Sequence, residues 1–168
     1  MKVRAKTLWC VSVFCTIASW LTYYITIYLG GFFFAVRTQG ADGTMEVSAD
    51  PVRSAVFTGV LFLAVLLAGG LWAFRSMTKA EIACSAAILS AIYLVISLLQ
   101  LFLADFSLAL SIRLVPFQHW STSLSVIVGK VIGGTFPLSW LLSVLTPFLF
   151  VLFGRRTAGS TAPAAEDA

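Results

Sequence analysis

The chain of 168 residues is 60% hydrophobic and 11% charged, and its mean hydropathy is +0.98. These values exclude an ordinary soluble domain, because a chain of this length cannot hide so much apolar sequence in one core. We therefore expect the lipid bilayer to be its solvent and its first partner, and we expect no nucleic-acid partner.

The first apolar run extends from Thr7 to Val36 and carries no charge over thirty residues. As a helix it would be about 45 Å long, whereas the hydrocarbon core of a bilayer is about 30 Å thick. We place the crossing part at about residues 8–29. A cleaved signal peptide is the competing interpretation, but the run is too long and no cleavage motif precedes Arg37. The pattern predicts a retained membrane anchor.

The next two apolar runs have the length of one span each. The second covers about residues 54–74 and has an arginine at either end, and the third covers about residues 80–104. Thr78 and Glu81 stand three residues apart at the start of the third run, which is the spacing of a capping box. We interpret Glu81 as part of this cap rather than as an ion-coupling carboxylate, because it lies at the very edge of the run.

The fourth span is the least regular, and we place it at about residues 135–153. Pro147 falls inside it and should kink the helix, with Thr146 or a neighbouring helix bonding the carbonyl that the proline leaves free. With these boundaries Lys130 lies near the opposite interface, where a lysine side chain extends to the polar headgroups.

The basic residues predict the orientation of the four spans, since cytoplasmic segments are richer in lysine and arginine. With the N terminus inside, seven basic residues fall inside: Lys2, Arg4, Lys6, Arg75, Lys79, Arg155 and Arg156. Four fall outside: Arg37, Arg53, Arg113 and Lys130. We therefore predict an all-α polytopic bundle over residues 1–156 in the plasma membrane, with both termini inside and a disordered cytoplasmic tail over residues 157–168.

The outer segment over residues 105–134 is too apolar for a free loop, and we expect it to be partly interfacial. Its first part alternates apolar and polar residues like a strand, whereas residues 121–132 also fit a short interfacial helix. Both interpretations stay open. The segment and the end of the third span contain the residues of a candidate outer-face surface: Gln100, Asp105, Arg113, His119, Trp120 and Lys130. The alternative is that the basic side chains extend to the headgroups and Trp120 anchors the segment at the interface.

Motifs for catalysis or cofactor binding are missing from the sequence. The chain has one histidine, and its three cysteines, Cys10, Cys15 and Cys84, lack C-x-x-C spacing. We expect these cysteines to be small buried residues, and we expect no metal, no cofactor and no enzymatic activity. The predicted span cores also lack ionisable residues, which argues against an ion-coupled transporter.

Small and hydroxylated residues recur at three- and four-residue spacing in every span. Examples are Ser12, Cys15, Ser19 and Thr22 in the first, Ala64 and Ala68 in the second, Ala83, Ala87 and Ala91 in the third, and Ser139 and Ser143 in the fourth. Such faces pack helices closely, either within the bundle or against another subunit. The favoured hypothesis is a non-enzymatic accessory or assembly subunit that contacts other membrane proteins or itself. The alternative is a small homo-oligomeric permease or channel.

Overall fold

The computed structural model describes residues 7–39, 44–132 and 139–155. The helices are α1 (Cys10–Phe33), α2 (Pro51–Ala68), α3 (Lys79–Phe106), α4 (Leu108–Ile132) and α5 (Ser139–Leu145). The strands are β1 (Ala35–Gln39) and β2 (Met45–Ala49), which pair in antiparallel register between α1 and α2. A π-helical turn over Gly69–Ala73 extends α2, and a 3₁₀ segment over Thr146–Phe153 extends α5.

Within the described ranges, three helices are long and apolar enough to cross a membrane: Cys10–Phe33, Pro51–Ala73 and Lys79–Leu103. They match the first three predicted runs and confirm the prediction of an all-α bundle of membrane helices. The last apolar helix, Leu141–Phe153, is shorter, and the predicted start of the fourth span at residue 135 lies outside the described residues.

Each of the three long helices begins with a different cap. In α3 the predicted capping box is confirmed, because Glu81 N donates to Thr78 Oγ1 at 3.3 Å and Thr78 N donates to Glu81 Oε2 at 3.0 Å. In α2 the Asp50 carboxylate accepts from two first-turn amides, and Pro51 follows it. The start of α1 has no side-chain cap of its own, and Ser85 of α3 accepts from Val11 N instead.

The bundle has two ends, which we call the N-terminal end and the hairpin end. The N-terminal end holds the starts of α1 and α3, since Ser85 Oγ donates to Leu8 O, and it also holds Arg155, whose N–H donates to Met77 O at 3.0 Å. The hairpin end holds the β1–β2 hairpin and the start of α2. Helix α3 packs along α1 in the same direction and therefore ends at the hairpin end.

Residues 108–132 of the outer segment form one continuous helix, α4, so the strand alternative is not realised. This helix begins at the hairpin end, where Ser107 directly follows α3. Lys130 returns to that end, because its Nζ donates to Pro51 O at 3.3 Å and to Ser54 Oγ at 3.1 Å. Pro116 lies inside the helix, where a proline removes a backbone hydrogen bond and bends the axis. Helix α4 thus enters and leaves the bundle at one end, and its middle reaches the centre.

Pro147 changes the geometry of the C-terminal segment, which passes from α-helix to 3₁₀ helix at Thr146. The Thr146 hydroxyl contacts two carbonyl oxygens, Leu142 O at 2.7 Å and Ser121 O at 3.3 Å. The Thr146 hydroxyl does not bond Ser143 O, the carbonyl that Pro147 leaves free in an α-helix, so this part of the prediction differs from the structure. The distortion that the sequence predicts at Pro147 takes the form of a change of helix type.

Aromatic rings fill the centre of the bundle. Trp120 stacks on Phe150, and Phe150 in turn contacts Phe74 and Phe14 edge to face with centroid separations of 4.9 and 5.9 Å. The predicted small-residue face of α1 also turns inward, with Ser12, Cys15, Ser19 and Thr22 all buried. Cys10 and Cys84 are exposed, contrary to our expectation, because they lie on faces that no other described element covers.

Candidate functional site

The most polar part of the bundle interior is the middle of α4, from Gln118 to Ser125. Four hydroxyls in this stretch bond to carbonyl oxygens three or four residues earlier in the same helix: Ser121, Thr122, Ser123 and Ser125. Such bonds satisfy hydroxyls locally, so a polar helix can be surrounded by apolar elements at small cost. The sequence thus allows α4 to lie between α1, α2, α3 and the C-terminal segment.

Trp120 is fully buried and lies between two phenylalanine rings. Its ring stacks on Phe62 and on Phe150, with a centroid separation of 5.3 Å in each case, and its Nε1 donates to Phe62 O at 3.3 Å. The structure therefore differs from the expectation that Trp120 anchors the segment at the interface. The physical reason is that the core supplies both stacking partners and an acceptor for the indole N–H.

Gln100 and Gln118 connect α3 to α4 through a direct hydrogen bond, in which Gln118 Nε2 donates to Gln100 Oε1. Ser97 Oγ donates to Gln118 Oε1 at 3.3 Å, so both ends of the Gln118 amide have a partner. Gln118 is buried, and amide pairs of this kind hold neighbouring helices in register inside a bilayer.

His119 is half-buried and faces α1. Its Nε2 lies 3.3 Å from Thr26 Oγ1, and its ring meets Tyr23 edge to face at 5.5 Å. The Thr26 hydroxyl also lies 2.8 Å from Thr22 O, to which it donates, and we therefore assign His119 Nε2 as the donor in the contact with Thr26 Oγ1. The imidazole therefore acts as a bridge between α4 and α1, and no carboxylate of a described side chain is paired with it.

The six candidate residues of the outer surface divide between several places. Gln100, His119 and Trp120 face other helices, whereas Arg113 and Lys130 are exposed. Lys130 lies at the hairpin end and not deep in the bundle. The side chain of Asp105 lies outside the described part of the structure. The candidate residues do not form one continuous surface in the described part of the structure. Instead, Gln100 contacts Gln118, and His119 contacts Thr26.

Sequence reasoning missed Gln118, Tyr23, Thr26 and Tyr93 at this site. Gln118 precedes His119 directly, and this adjacency of two polar residues in an apolar chain was the signal for it. Tyr93 carried no such signal, and its buried hydroxyl lies near the side chains of Ser19 and Ser121. Ser12 Oγ is buried without a hydrogen-bond partner among the described residues.

Metal ligands do not cluster in the described ranges, where no three His, Cys, Asp or Glu residues come together. Buried Cys15 lies among apolar neighbours on the inner face of α1. The arrangement around His119 serves helix contact, since its hydrogen bonds join side chains of adjacent helices.

Comparison with known proteins gives no relatives: the chain matches no protein-family model, no curated protein and no solved structure. Its long apolar helices indicate an integral membrane protein. A functional proposal therefore rests on the geometry of the chain itself.

Proposed function

We propose that the protein is a non-enzymatic accessory or assembly subunit that binds another membrane protein through helix–helix contact. The observation that carries this proposal is an exposed seam along α3. Its residues recur at alternating intervals of three and four: Cys84, Ala87, Ala91, Leu94, Leu98 and Leu101. All six are exposed, and we call this row the α3 seam.

The spacing of the α3 seam is that of a helix packing face, because residues three and four apart lie on one side of a helix. Alanine at positions 87 and 91 lets a second helix approach closely, and leucine at positions 94 and 98 supplies side chains to interlock with it. In lipid such contacts form through packing rather than through removal of apolar surface from water. The seam suits a helix as a partner better than disordered acyl chains.

Other small residues support the proposal by contrast. The small-residue face of α1 is buried inside the bundle. Gly69 of the π-helical turn packs closely against Phe150, because a Cβ added at Gly69 would lie 2.4 Å from the Phe150 ring. Ser143 is buried as well, with its Oγ 3.3 Å from Ser125 Oγ. Internal packing thus explains these positions and leaves Ala87 and Ala91 without a role in the monomer.

The alternative function is a small homo-oligomeric permease or channel. The stacked rings of Phe62, Trp120 and Phe150 fill the centre of the monomer, so a pathway would have to run between protomers. The observation that favours this alternative is the polar middle of α4, which brings Gln118 and His119 to membrane depth. Flux into vesicles that contain a defined oligomer is the measurement that would favour it over the assembly role.

We further propose four crossings of the plasma membrane, with the fourth made by α5 and the 3₁₀ segment and both termini in the cytoplasm. Two contacts support an even number of crossings: Ser85 with Leu8, and Arg155 with Met77, both at the N-terminal end. The basic residues near the two termini support the cytoplasmic assignment of that end.

The experiment uses the full chain, tagged and expressed at native level, and purifies it from its own membrane in mild detergent. We expect a complex larger than the monomer with a reproducible partner, and we expect the double variant Ala87→Leu/Ala91→Leu to release that partner. Ala73→Leu is the control, since Ala73 is an exposed alanine of the π-helical turn outside the seam. A monomer that carries nothing with it, or equal loss of the partner in the control, would contradict the proposal. Two differently tagged copies distinguish self-association from a second protein.

A further inference from the structure

An apolar groove lies at the hairpin end, where α2 begins and α1 ends. It has a volume of about 490 Å³ and is lined by Phe33, Val52, Arg53, Val56, Phe57 and Val60. Five of the six lining residues are apolar, and Arg53 is the one charged residue among them. We call this the α2 groove.

The walls of the α2 groove are rigid on one side and open on the other. Phe57 stacks on Phe33 with a centroid separation of 5.3 Å and meets Phe34 at 5.8 Å, which fixes the join between α1 and α2. Val56 and Val60 are each 61% exposed and project from successive turns of α2. The groove is therefore an apolar strip along the outside of a membrane helix.

Arg53 stands at the first turn of α2 with its side chain 67% exposed. Its Nε lies 3.5 Å from Asp50 Oδ2, while Asp50 Oδ1 accepts from Val52 N and Arg53 N. Asp50 thus caps the helix with Oδ1 and contacts the Arg53 guanidinium only at Nε. The two terminal nitrogens have no partner among the described residues, and they present the paired donors that suit a phosphate group.

Lys130 adds a second positive charge at the same end of α2 through its bonds to Pro51 O and Ser54 Oγ. Asp50 is one negative charge against the two positive charges of Arg53 and Lys130, so the local balance is positive. A positive rim above an apolar strip has the chemistry of a lipid with an anionic headgroup.

We propose that the α2 groove binds one anionic phospholipid, with its phosphate on the Arg53 guanidinium and an acyl chain along Val56 and Val60. The proposal is independent of the α3 seam, which lies on a different helix. Charge complementarity selects this occupant, because a second copy of the chain would bring a like charge to Arg53, and a zwitterionic lipid would place a choline group near the positive rim. Lys130 strengthens the local potential, and Arg53 makes the direct contact.

The test is native mass spectrometry of the full chain in mild detergent, with phosphatidylglycerol and phosphatidylcholine of matched acyl chains as probes. We expect one phosphatidylglycerol to be retained about tenfold better than phosphatidylcholine. Arg53→Gln should abolish this preference, and Lys130→Gln should weaken it. Arg113→Gln is the matched control, as it removes one exposed arginine of α4 outside the groove and should leave the preference intact.

A second variant tests the position of the chain. Val56→Trp fills the groove from an exposed site and keeps Arg53, so it should reduce retention of phosphatidylglycerol by a similar factor. Circular dichroism and gel filtration confirm that each variant is folded and has the size of the wild type. Equal retention of both lipids by the wild type, equal loss with Arg113→Gln, or a change of oligomeric state with Val56→Trp would each overturn the proposal.

Discussion

Single side chains join elements that are far apart in the sequence, mostly by bonds to backbone atoms. Ser85 bonds to Leu8 O and Val11 N, Ser90 Oγ donates to Val144 O at 2.6 Å, and Trp120 Nε1 donates to Phe62 O. In lipid, where apolar side chains gain little by leaving the solvent, interhelical hydrogen bonds of this kind contribute roughly 0.6 to 2 kcal/mol each. These hydrogen bonds connect the helices to one another on their inner faces.

Trp120 is the residue whose loss should affect the bundle most. Trp120→Ala removes the ring between Phe62 and Phe150 and should lower the free energy of unfolding by about 3–5 kcal/mol. Trp120→Phe keeps a ring in the stack but loses the indole donor, which should cost about 1 kcal/mol. Unfolding of the purified protein in mixed micelles, followed by circular dichroism, measures both.

Trp72→Ala is the control for this prediction, since Trp72 is 85% exposed on the π-helical turn. Its unfolding free energy should stay close to that of the wild type. A Trp120→Ala variant as stable as Trp72→Ala would show that the central ring stack does not hold the bundle.

At the scale of elements, glycine determines how closely α2 approaches the C-terminal segment. An added Cβ at Gly70 would lie 2.4 Å from the Phe153 ring, whereas one at Gly59 would meet nothing within 4 Å. The π-helical turn brings Gly69 and Gly70 inward together, and both are buried. Glycine thus permits close packing at Gly70, whereas Gly59 has open space around it.

We expect Gly70→Ala to destabilise the bundle by about 1–3 kcal/mol, because Phe153 must shift to admit the methyl group. Gly59→Ala is the matched change in open space and should be neutral or stabilise by up to about 1 kcal/mol, since alanine favours the helix. Micelle unfolding of the two variants compares them directly. Similar values for both would contradict the close packing of α2 on the 3₁₀ segment.

At the scale of the whole molecule, the sequence predicts the long helices well because their signals are local. Uninterrupted apolar runs and the Thr78–Glu81 spacing lie within one element and need no partner. The course of α4 was not predictable in this way. Its position depends on the rings of Phe62 and Phe150, which come from remote parts of the chain, and its own sequence is equally compatible with an interfacial helix.

The sequence does not predict the β1–β2 hairpin. The two strands are short, and every residue of β2 is exposed. Burial therefore imposes no pattern on the β2 residues from which a half-buried strand could be predicted. The candidate surface failed to form as one patch for a related reason. Stacking and hydrogen bonding place Trp120 and His119 in the interior. Among the candidate residues whose side chains are described, Arg113 and Lys130 are the exposed ones.

Helix α4 enters and leaves the bundle at the hairpin end, and on this basis we propose that four crossings bring both termini to one side. Single cysteines at Ser48, Lys130 and Ser76, in a chain whose native cysteines are replaced by alanine, test it with a membrane-impermeant maleimide on intact and inverted vesicles. We predict that Ser48→Cys and Lys130→Cys label from one side and that Ser76→Cys labels from the other. Labelling of Lys130→Cys from the same side as Ser76→Cys would contradict the account, because α4 would then cross the membrane.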